Sequence, residues 1–186
     1  NARATKVLLG NGRAVGVEYV KGASTHRHVV HARREVIVSA GAFQSPQLLM
    51  LSGIGPEAEL GKHGIAMAAH APEVGRNLQD HFDLGLVWDC TKPITVYSQT
   101  KGLKKLTVGL DYMFNRRGVG RLNHLEAGGF LKTRPELDRP DIQLHMFDAN
   151  FYDHARAQPQ CDGFAVHPCL LRPESRGEGR LASGDP

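Results

Sequence analysis

The sequence lacks the features that identify secreted, membrane-spanning and nucleic-acid-binding proteins. Its 186 residues include three cysteines and no CxxC pair, which argues against a disulfide framework or a zinc knuckle and favours a reducing compartment, here the cytoplasm. No apolar run is long enough to cross a bilayer, and the first residues have no signal-peptide core. The net charge of +4 is spread over scattered cations, so nucleic acid is not an expected partner.

A metal site is not expected either. The densest group of candidate ligands is His26, His28 and His31, and residues two apart on a strand share a face. Their segment contains no carboxylate or thiol that would complete a ligand set. We therefore interpret these histidines as a polar strand face.

The composition, 41% hydrophobic and 23% charged, is that of a globular protein with enough core for one or two small domains. The first segment, TKVLLGNGRAVGVEYV, predicts two strands joined by a tight turn at Asn11 and Gly12. Gly10, Gly12 and Gly16 approach the dinucleotide-binding fingerprint, but the last glycine comes one residue too late and a strand follows where a helix is required. The sequence therefore predicts a hairpin here.

A buried strand followed by a helix is predicted after the hairpin. The run Val36–Val38 is β-branched and continuous, as in strands covered on both faces. Ser45 is a good helix N-cap and Pro46 a good first helical residue. Between strand and helix, the pair Gly41–Ala42 carries almost no side chain. This leaves two interpretations open: a ligand crevice beyond the end of the strand, or tight packing of the strand against the helix.

The helix is expected to end where glycines follow its apolar block. Gly53 and Gly55 are predicted to supply the left-handed positions that end it. Pro56 is then expected to open a second short helix through Glu59.

The second half of the chain predicts a sheet with a helical cover. FDLGLVWDC and AGGFLKT are typical of strands, and GLKKLTVGLDYMFNRRG is typical of a helix that ends at Gly118. One face of this helix is apolar, so we expect it to pack on the sheet. The apolar positions are Leu103, Leu106, Leu110 and Met113.

The segment RPDIQLHMFDA alternates strictly enough to predict a strand with two different faces. Ile142, Leu144 and Met146 fall on one face, and that face is expected to belong to the core. His145 falls on the opposite face together with Gln143 and Phe147. His145 is therefore interpreted either as a residue lining a wet cavity or as an exposed strand histidine.

Several segments together resemble the glucose-methanol-choline (GMC) family of flavin-dependent oxidoreductases, most closely its choline dehydrogenase branch. These segments are GAFQSPQLLMLSGIG, VGRNLQDH, GRLNHLEAGGF, RPDIQLH and RPESRGEGRLAS, in that order along the chain. The resemblance implies an α+β fold in which the end of an α/β flavin-binding domain, residues 1–81, precedes an antiparallel sheet covered by helices. That sheet, residues 82–186, would be part of the substrate-binding domain.

The resemblance also implies a cofactor site and substrate contacts. FAD in the full-length protein would lie near residues of the first two motifs, namely Gly41, Ala42, Asn77, Asp80 and His81. His145 would stabilise the alkoxide that forms from the substrate hydroxyl. Asp89 beside Trp88, and Glu126, would be acidic contacts for a substrate ammonium group.

The implied reaction is the oxidation of choline or a related small primary alcohol by hydride transfer to FAD. The glycine-rich flavin fingerprint and the catalytic histidine that family members carry near their two ends are not found in this sequence, so we expect an internal fragment that by itself binds no flavin and is inactive. Two alternatives remain open at this point. One is a non-redox module of the same ancestry that binds a ligand or a partner, and the other is a lyase of the same fold.

Overall fold

The computed structural model describes residues 1–125, 127–150, 157 and 159–186, and these form two compact units. The first unit consists of Asn1–Gln79 together with Ser175–Pro186, and the second of Asp80–Glu174. Each unit combines helices with an antiparallel sheet, which confirms the predicted α+β class. None of the helices in the described part of the chain has the length and apolar character needed to span a membrane.

The first unit begins with a three-stranded antiparallel sheet in the order β1-β2-β3. Its strands are β1 (Ala2–Gly10), β2 (Arg13–Lys21) and β3 (Arg27–His31). Asn11 and Gly12 connect the first two strands with φ angles of 52° and 73°. Two consecutive positive φ angles define the tight hairpin turn that suits twisted strands, so the predicted hairpin is confirmed.

The strand predicted at Val36–Val38 is wrong. This segment has no regular secondary structure, and Ile37 is 78% exposed. A strand requires a neighbouring backbone to complete its hydrogen bonds. No described segment pairs with residues 36–38, so their β-branched composition is not sufficient to make them a strand.

Helix α1 (Gly41–Leu51) begins five residues earlier than predicted. Gly41 has a φ of +87°, which glycine adopts without strain and which allows the chain to turn directly into the helix. Ser45 is therefore not the N-cap. Its Oγ accepts a hydrogen bond from the backbone N–H of Ala40, 2.9 Å away, and Pro46 lies inside the helix.

The end of α1 follows the prediction at one glycine but not at the other. Gly53 has a φ of +84°, and a Cβ atom at this position would lie 2.5 Å from the carbonyl oxygen of Ala66. Gly55 has no left-handed role, because it pairs with His70 in a short parallel ladder. The ladder joins β4 (Ile54–Gly55) to β5 (Ala69–His70), and α2 (Glu57–Lys62) follows Pro56.

The core of the first unit joins helices α1 and α2 to the C-terminal segment. Its buried members are Met50, Leu51, Leu60 and Leu181. Ser52, 3% exposed, ties this core to the sheet, because its Oγ accepts the N–H of Val7 at 2.8 Å. Burial of these side chains supplies the main stabilisation of the unit.

Glu59 is a buried carboxylate that holds the C-terminal segment onto this core. It is 8% exposed, accepts the N–H of Leu181 at 3.2 Å and pairs with Lys62 Nζ at 3.0 Å. The hydrogen bond from Lys62 lowers the pKa of Glu59 below its ordinary value. The carboxylate therefore adds stability above the ordinary pKa of a glutamate, and this stability is lost as the pH falls through the lower, folded pKa.

We expect Glu59→Gln to lower the free energy of unfolding of the first unit by about 1–2 kcal/mol at neutral pH, because the charge-assisted bond to Lys62 is lost. The difference from wild type should shrink as the pH falls, since the native carboxylate becomes protonated as well. Urea unfolding at a series of pH values measures both effects. A difference that stays constant down to strongly acidic pH would show that the charge of Glu59 does not contribute.

The second unit contains a four-stranded antiparallel sheet in the order β6-β9-β8-β7. Its strands are β6 (Leu86–Asp89), β7 (Ala127–Leu131), β8 (Ile142–Phe147) and β9 (Gly163–Leu170). The three strands predicted in this half of the chain are confirmed. Strand β9, which was not predicted, is one of the two inner strands and carries the buried residues Ala165 and Cys169.

The long helix predicted in the second unit exists, but its apolar stripe is not buried. Helices α3 (Val96–Gln99) and α4 (Leu103–Asn115) precede a 3₁₀ turn at Val119–Arg121. The helix ends at Asn115, because Arg116 adopts the left-handed conformation (φ 53°) before Gly118 is reached. The stripe is exposed at Leu103 (85%), Leu106 (61%), Leu110 (42%) and Met113 (58%).

The exposure of this stripe has a geometric reason. Helix α4 packs through another face, since a Cβ at Gly120 would meet Tyr112 Cβ at 3.1 Å and Val108 at 3.6 Å. The predicted core face of β8 is likewise only partly covered, because Met146 is 40% exposed. Apolar periodicity predicted the helix and the strand correctly, whereas it did not predict which surfaces cover them.

Candidate functional site

The first unit contains a cavity of about 590 Å³ between the start of α1 and two backbone segments. Helix α1 contributes apolar side chains, and residues 75–79 and 179–183 contribute polar groups. The lining that matters for chemistry consists of Ala42, Phe43, Met50, Arg76, Asn77 and Arg180.

Two loops far apart in the sequence are held together beside this cavity by backbone hydrogen bonds. Leu78 and Gly177 each donate their N–H to the carbonyl of the other, at 2.9 and 2.8 Å. The N–H of Gly179 donates to the carbonyl of Gly75 at 2.7 Å. A Cβ at Gly75 would lie 2.4 Å from the carbonyl oxygen of Gly179, so this approach requires glycine.

The structure places two of the five predicted cofactor contacts on the cavity. Ala42 and Asn77 line it, and Asn77 adopts a left-handed backbone conformation with a φ of 58°. Gly41 is the first residue of α1, next to Ala42. Asp80 and His81 belong to the second unit, where the N–H of His81 donates to Asp80 Oδ1 at 2.8 Å.

The donor groups around the cavity fit part of a flavin dinucleotide. Helix α1 begins here without a side-chain cap, and unpaired amides at a helix start favour anions. Arg76 and Arg180 add positive charge, although each also pairs with a nearby glutamate. Phe43 and Met50 supply apolar surface for a flat group, while Asp185 on the rim adds one opposing charge.

The second candidate site is the face of the four-stranded sheet that carries His145. In the antiparallel register, His145 lies opposite His167 on β9 and opposite Gly128 on β7. Directly opposed residues project to the same face, so the two imidazoles share it, while Gly128 contributes no side chain there. His145 is half-buried in this position.

His167 was not singled out in the sequence, yet it has a more defined environment than His145. Its Nδ1 lies 2.7 Å from Oδ2 of Asp83, and its ring packs edge-on against Phe147 with centroids 5.0 Å apart. Its Nε2 is buried and has no hydrogen-bond partner in the described part of the chain. Asp83 and His167 are 84 positions apart, so no spacing signal in the sequence connects them.

Asp89 lies on the same sheet face as His145 but at a distance. Asp89 pairs with Gly163 while His145 pairs with His167, an offset of four residues across two strand spacings. This places their Cα atoms about 17 Å apart. Trp88, one residue before Asp89, projects to the opposite face, where its ring stacks on Phe164 with centroids 5.2 Å apart.

The carboxylate of Asp89 is engaged by protein groups. Asn150, 2% exposed, donates its Nδ2 to Asp89 Oδ1 at 2.8 Å. A hydrogen bond from the Cys161 thiol to Asp89 raises the pKa of that thiol above its ordinary value. Glu126, the other predicted acidic contact, lies outside the described residues.

A metal centre is not built by the described part of the chain, where no three or more histidine, cysteine, aspartate or glutamate side chains are grouped to hold an ion. All three cysteines, Cys90, Cys161 and Cys169, are free thiols.

Known proteins match this chain over almost its whole length. Residues 1–83 match the model of a family described as GMC oxidoreductase. The chain is 44% identical over 182 residues to human "Choline dehydrogenase, mitochondrial", covering 98% of this chain and 30% of that protein. It is 42% identical over 183 residues to an oxygen-dependent choline dehydrogenase of Brucella anthropi, covering 98% of this chain and 33% of that protein.

Solved structures of oxidases share the fold. A formate oxidase superposes with a TM-score of 0.87 at 29% identity, covering 99% of this chain and 37% of its own. Pyridoxine 4-oxidase from Mesorbium loti superposes with a TM-score of 0.69 at 25% identity, covering 99% of this chain and 32% of its own. The chain therefore spans about a third of the length of the relatives it matches.

Proposed function

Because the chain corresponds to one segment of the longer GMC oxidoreductases, we propose that it comes from an FAD-dependent enzyme that oxidises choline or a related small primary alcohol. The observation that carries this proposal is the identity of 40–44% to choline dehydrogenases over 98% of the chain. The small-alcohol substrate is the expected partner.

In this proposal one unit binds the cofactor and the other binds the substrate. The first unit, which includes Ser175–Pro186, is part of the FAD-binding region, and the second is part of the substrate-binding region. Ala42 and Asn77 would contact the cofactor, while Arg76 and Arg180 would offset its negative charge. When bound, FAD supplies the acceptor for the hydride that leaves the alcohol carbon.

His145 is the residue of the described chain that we assign to the substrate hydroxyl. Its imidazole N–H would donate a hydrogen bond to the oxygen as negative charge develops there, which lowers the barrier more than it strengthens ground-state binding. Gly128, directly opposite on the neighbouring strand, has no side chain that would compete with the substrate hydroxyl for this ring. His145 acts in this scheme as a stabiliser and not as the base.

Asp89 is unsuited to the ammonium group of the same substrate molecule. Choline separates its ammonium and hydroxyl groups by two carbons, whereas Asp89 and His145 are separated by two strand spacings and four residues. We therefore assign Asp89 to holding Asn150 and Cys161, and we leave Glu126 as the predicted acidic contact.

The three free thiols are consistent with work in a reducing compartment, such as the cytoplasm predicted from the sequence. The human relative carries the word "mitochondrial" in its name. We propose that this protein works in a reducing compartment, and the cytoplasm is the compartment that we propose for it.

Expression of the full-length protein from its gene tests this function. We expect a yellow protein with an absorbance band near ~450 nm that bleaches anaerobically when choline or a small primary alcohol is added. The neutral isostere 3,3-dimethylbutan-1-ol separates recognition of the ammonium group from recognition of shape. A full-length protein that binds flavin but is not reduced by any small primary alcohol would refute the proposed reaction.

The 186-residue chain by itself should be colourless after purification. Its sequence has no glycine-rich dinucleotide fingerprint, and the described cavity offers only edge contacts to a flavin. Absorbance of the purified chain, before and after incubation with excess FAD and gel filtration, measures this. Retention of stoichiometric flavin would show that the chain forms a complete cofactor site.

A further inference from the structure

The hydrogen-bonded pair Asp83–His167 is the feature of the second unit that the proposed mechanism leaves unused. His167 Nδ1 lies 2.7 Å from Asp83 Oδ2, and the side chain of His167 is 20% exposed. The imidazole Nδ1–H donates this hydrogen bond, because a carboxylate oxygen accepts. The bond to Asp83 therefore sets the orientation of the ring.

Two further contacts restrict the same ring. A Cβ built on Gly85 would lie 3.3 Å from His167 Cε1 and 3.4 Å from its Nε2, so the imidazole lies directly on this glycine. Phe147 packs edge-on against the ring from the next strand at 5.0 Å between centroids. His167 is therefore held from three directions and has little freedom to change rotamer.

This arrangement carries an energetic cost that packing does not explain. The Nε2 atom of His167 is buried and has no hydrogen-bond partner among the described residues. A buried polar atom without a partner destabilises the fold and calls for an explanation beyond stability. An apolar residue at this position would avoid the cost.

The strand register places this ring beside His145. His167 is the directly opposed neighbour of His145, and their Cβ atoms lie about 5 Å apart on one face. On its other side, His145 faces Gly128, which has no side chain. The only side chain that directly opposes His145 across the strands is thus the immobilised ring of His167.

We propose that Asp83 and His167 form a positioning pair that sets the orientation of the His145 imidazole. Asp83 acts through His167, and His167 acts through His145 by occupying the space into which that ring would otherwise turn. The inference rests on the proposed function in one respect, namely that His145 contacts the alcohol. The structural part, the orientation of His145, stands independently of which reaction the enzyme catalyses.

Four variants of the full-length protein test this pair. We expect Asp83→Ala and His167→Ala each to slow flavin reduction by the alcohol about tenfold, with a smaller change in KM, because His145 is displaced while the substrate still binds. The double variant should be no slower than His167→Ala, since Asp83 has no effect except through His167. Gly85→Ala should slow the reaction as well, because its Cβ would push the His167 ring while both members of the pair remain.

Asp141→Asn is the matched control for loss of a carboxylate in the same unit. Asp141 accepts hydrogen bonds from the backbone N–H and the Oγ1 of Thr133, at 2.8 and 2.5 Å, and does not contact the pair. We expect it to keep the wild-type rate. Asp83→Asn retains a hydrogen-bond acceptor for His167 Nδ1 and should restore part of the rate lost in Asp83→Ala.

Crystal structures of full-length wild type and Asp83→Ala provide a readout that needs no activity. A changed ring orientation of His145 in Asp83→Ala, with Asp141→Asn unchanged, supports the proposal even if no small alcohol is oxidised, in which case the proposed function fails and the positioning pair stands. An unchanged His145 ring, additive losses in the double variant, or wild-type rates in His167→Ala would each overturn it.

Discussion

Replacing His145 with alanine in the full-length protein is expected to slow flavin reduction by the alcohol about a hundredfold, with nearly unchanged stability. The rate should fall because one preorganised donor to the developing alkoxide is lost. Stability should hold because His145 is only half-buried and faces away from Ile142 and Leu144, which share the other face of β8. Residual activity should remain, since the base of the reaction is a different residue.

The controls for this variant separate chemistry from folding. His145→Gln keeps a side-chain N–H donor and should recover part of the rate. His31→Ala removes an exposed strand histidine from the first unit and should retain the wild-type rate. Single-turnover flavin reduction and a melting curve are measured on each variant.

The interpretation of His145 would be wrong in either of two cases. One is a wild-type rate in His145→Ala, which would make this histidine a bystander. The other is a lost rate with a large fall in melting temperature, which would make it a structural residue. Substrate specificity adds a further check, because loss of a hydroxyl contact should slow choline and its neutral isostere by similar factors.

Replacing Gly75 with alanine is expected to destabilise the first unit by at least about 3 kcal/mol. Two effects combine at this position. Its φ of +85° is strained for any residue with a Cβ, and that Cβ would lie 2.4 Å from the carbonyl oxygen of Gly179. Relief would require breaking the backbone hydrogen bond from Gly179 to Gly75 and separating the two loops beside the cavity.

Gly64→Ala is the matched control for the conformational part of this effect. Gly64 has a φ of +64° in the same unit, and a Cβ there would meet no atom within 4 Å. We expect Gly64→Ala to cost only about 1 kcal/mol, so the difference between the two variants isolates the close approach of the loops. Urea unfolding of the first unit measures both.

In the full-length protein, Gly75→Ala should also reduce the amount of flavin that copurifies, whereas Gly64→Ala should not. Equal losses of stability in the two variants would mean that the loops separate without cost. Full flavin content in a destabilised Gly75→Ala would place the cofactor away from the cavity.

Local features of the chain were predictable from the sequence because they depend on neighbouring residues. The turn at Asn11–Gly12 and the end of α1 at Gly53 need positive φ angles that few residues adopt. The strand around His145 was predictable from alternation of apolar and polar residues over six positions.

Predictions failed where a segment depends on a distant partner. Val36–Val38 has strand composition but no described strand beside it, and the stripe of α4 that includes Leu106 is apolar but uncovered. The composition of a segment indicates which face is apolar. Whether that face is buried depends on a second segment that packs against it.

The sequence by itself determined the turns, the identity of most helices and strands, and the family resemblance, because each is written in contiguous motifs. The tertiary structure decided which motifs meet. It joined Gly75 to Gly179 around a cavity, set His167 opposite His145 with Asp83 behind it, and placed Asp89 about 17 Å from His145. These relations depend on which distant segments pair and in what order, and the spacing of motifs along the chain does not specify that pairing.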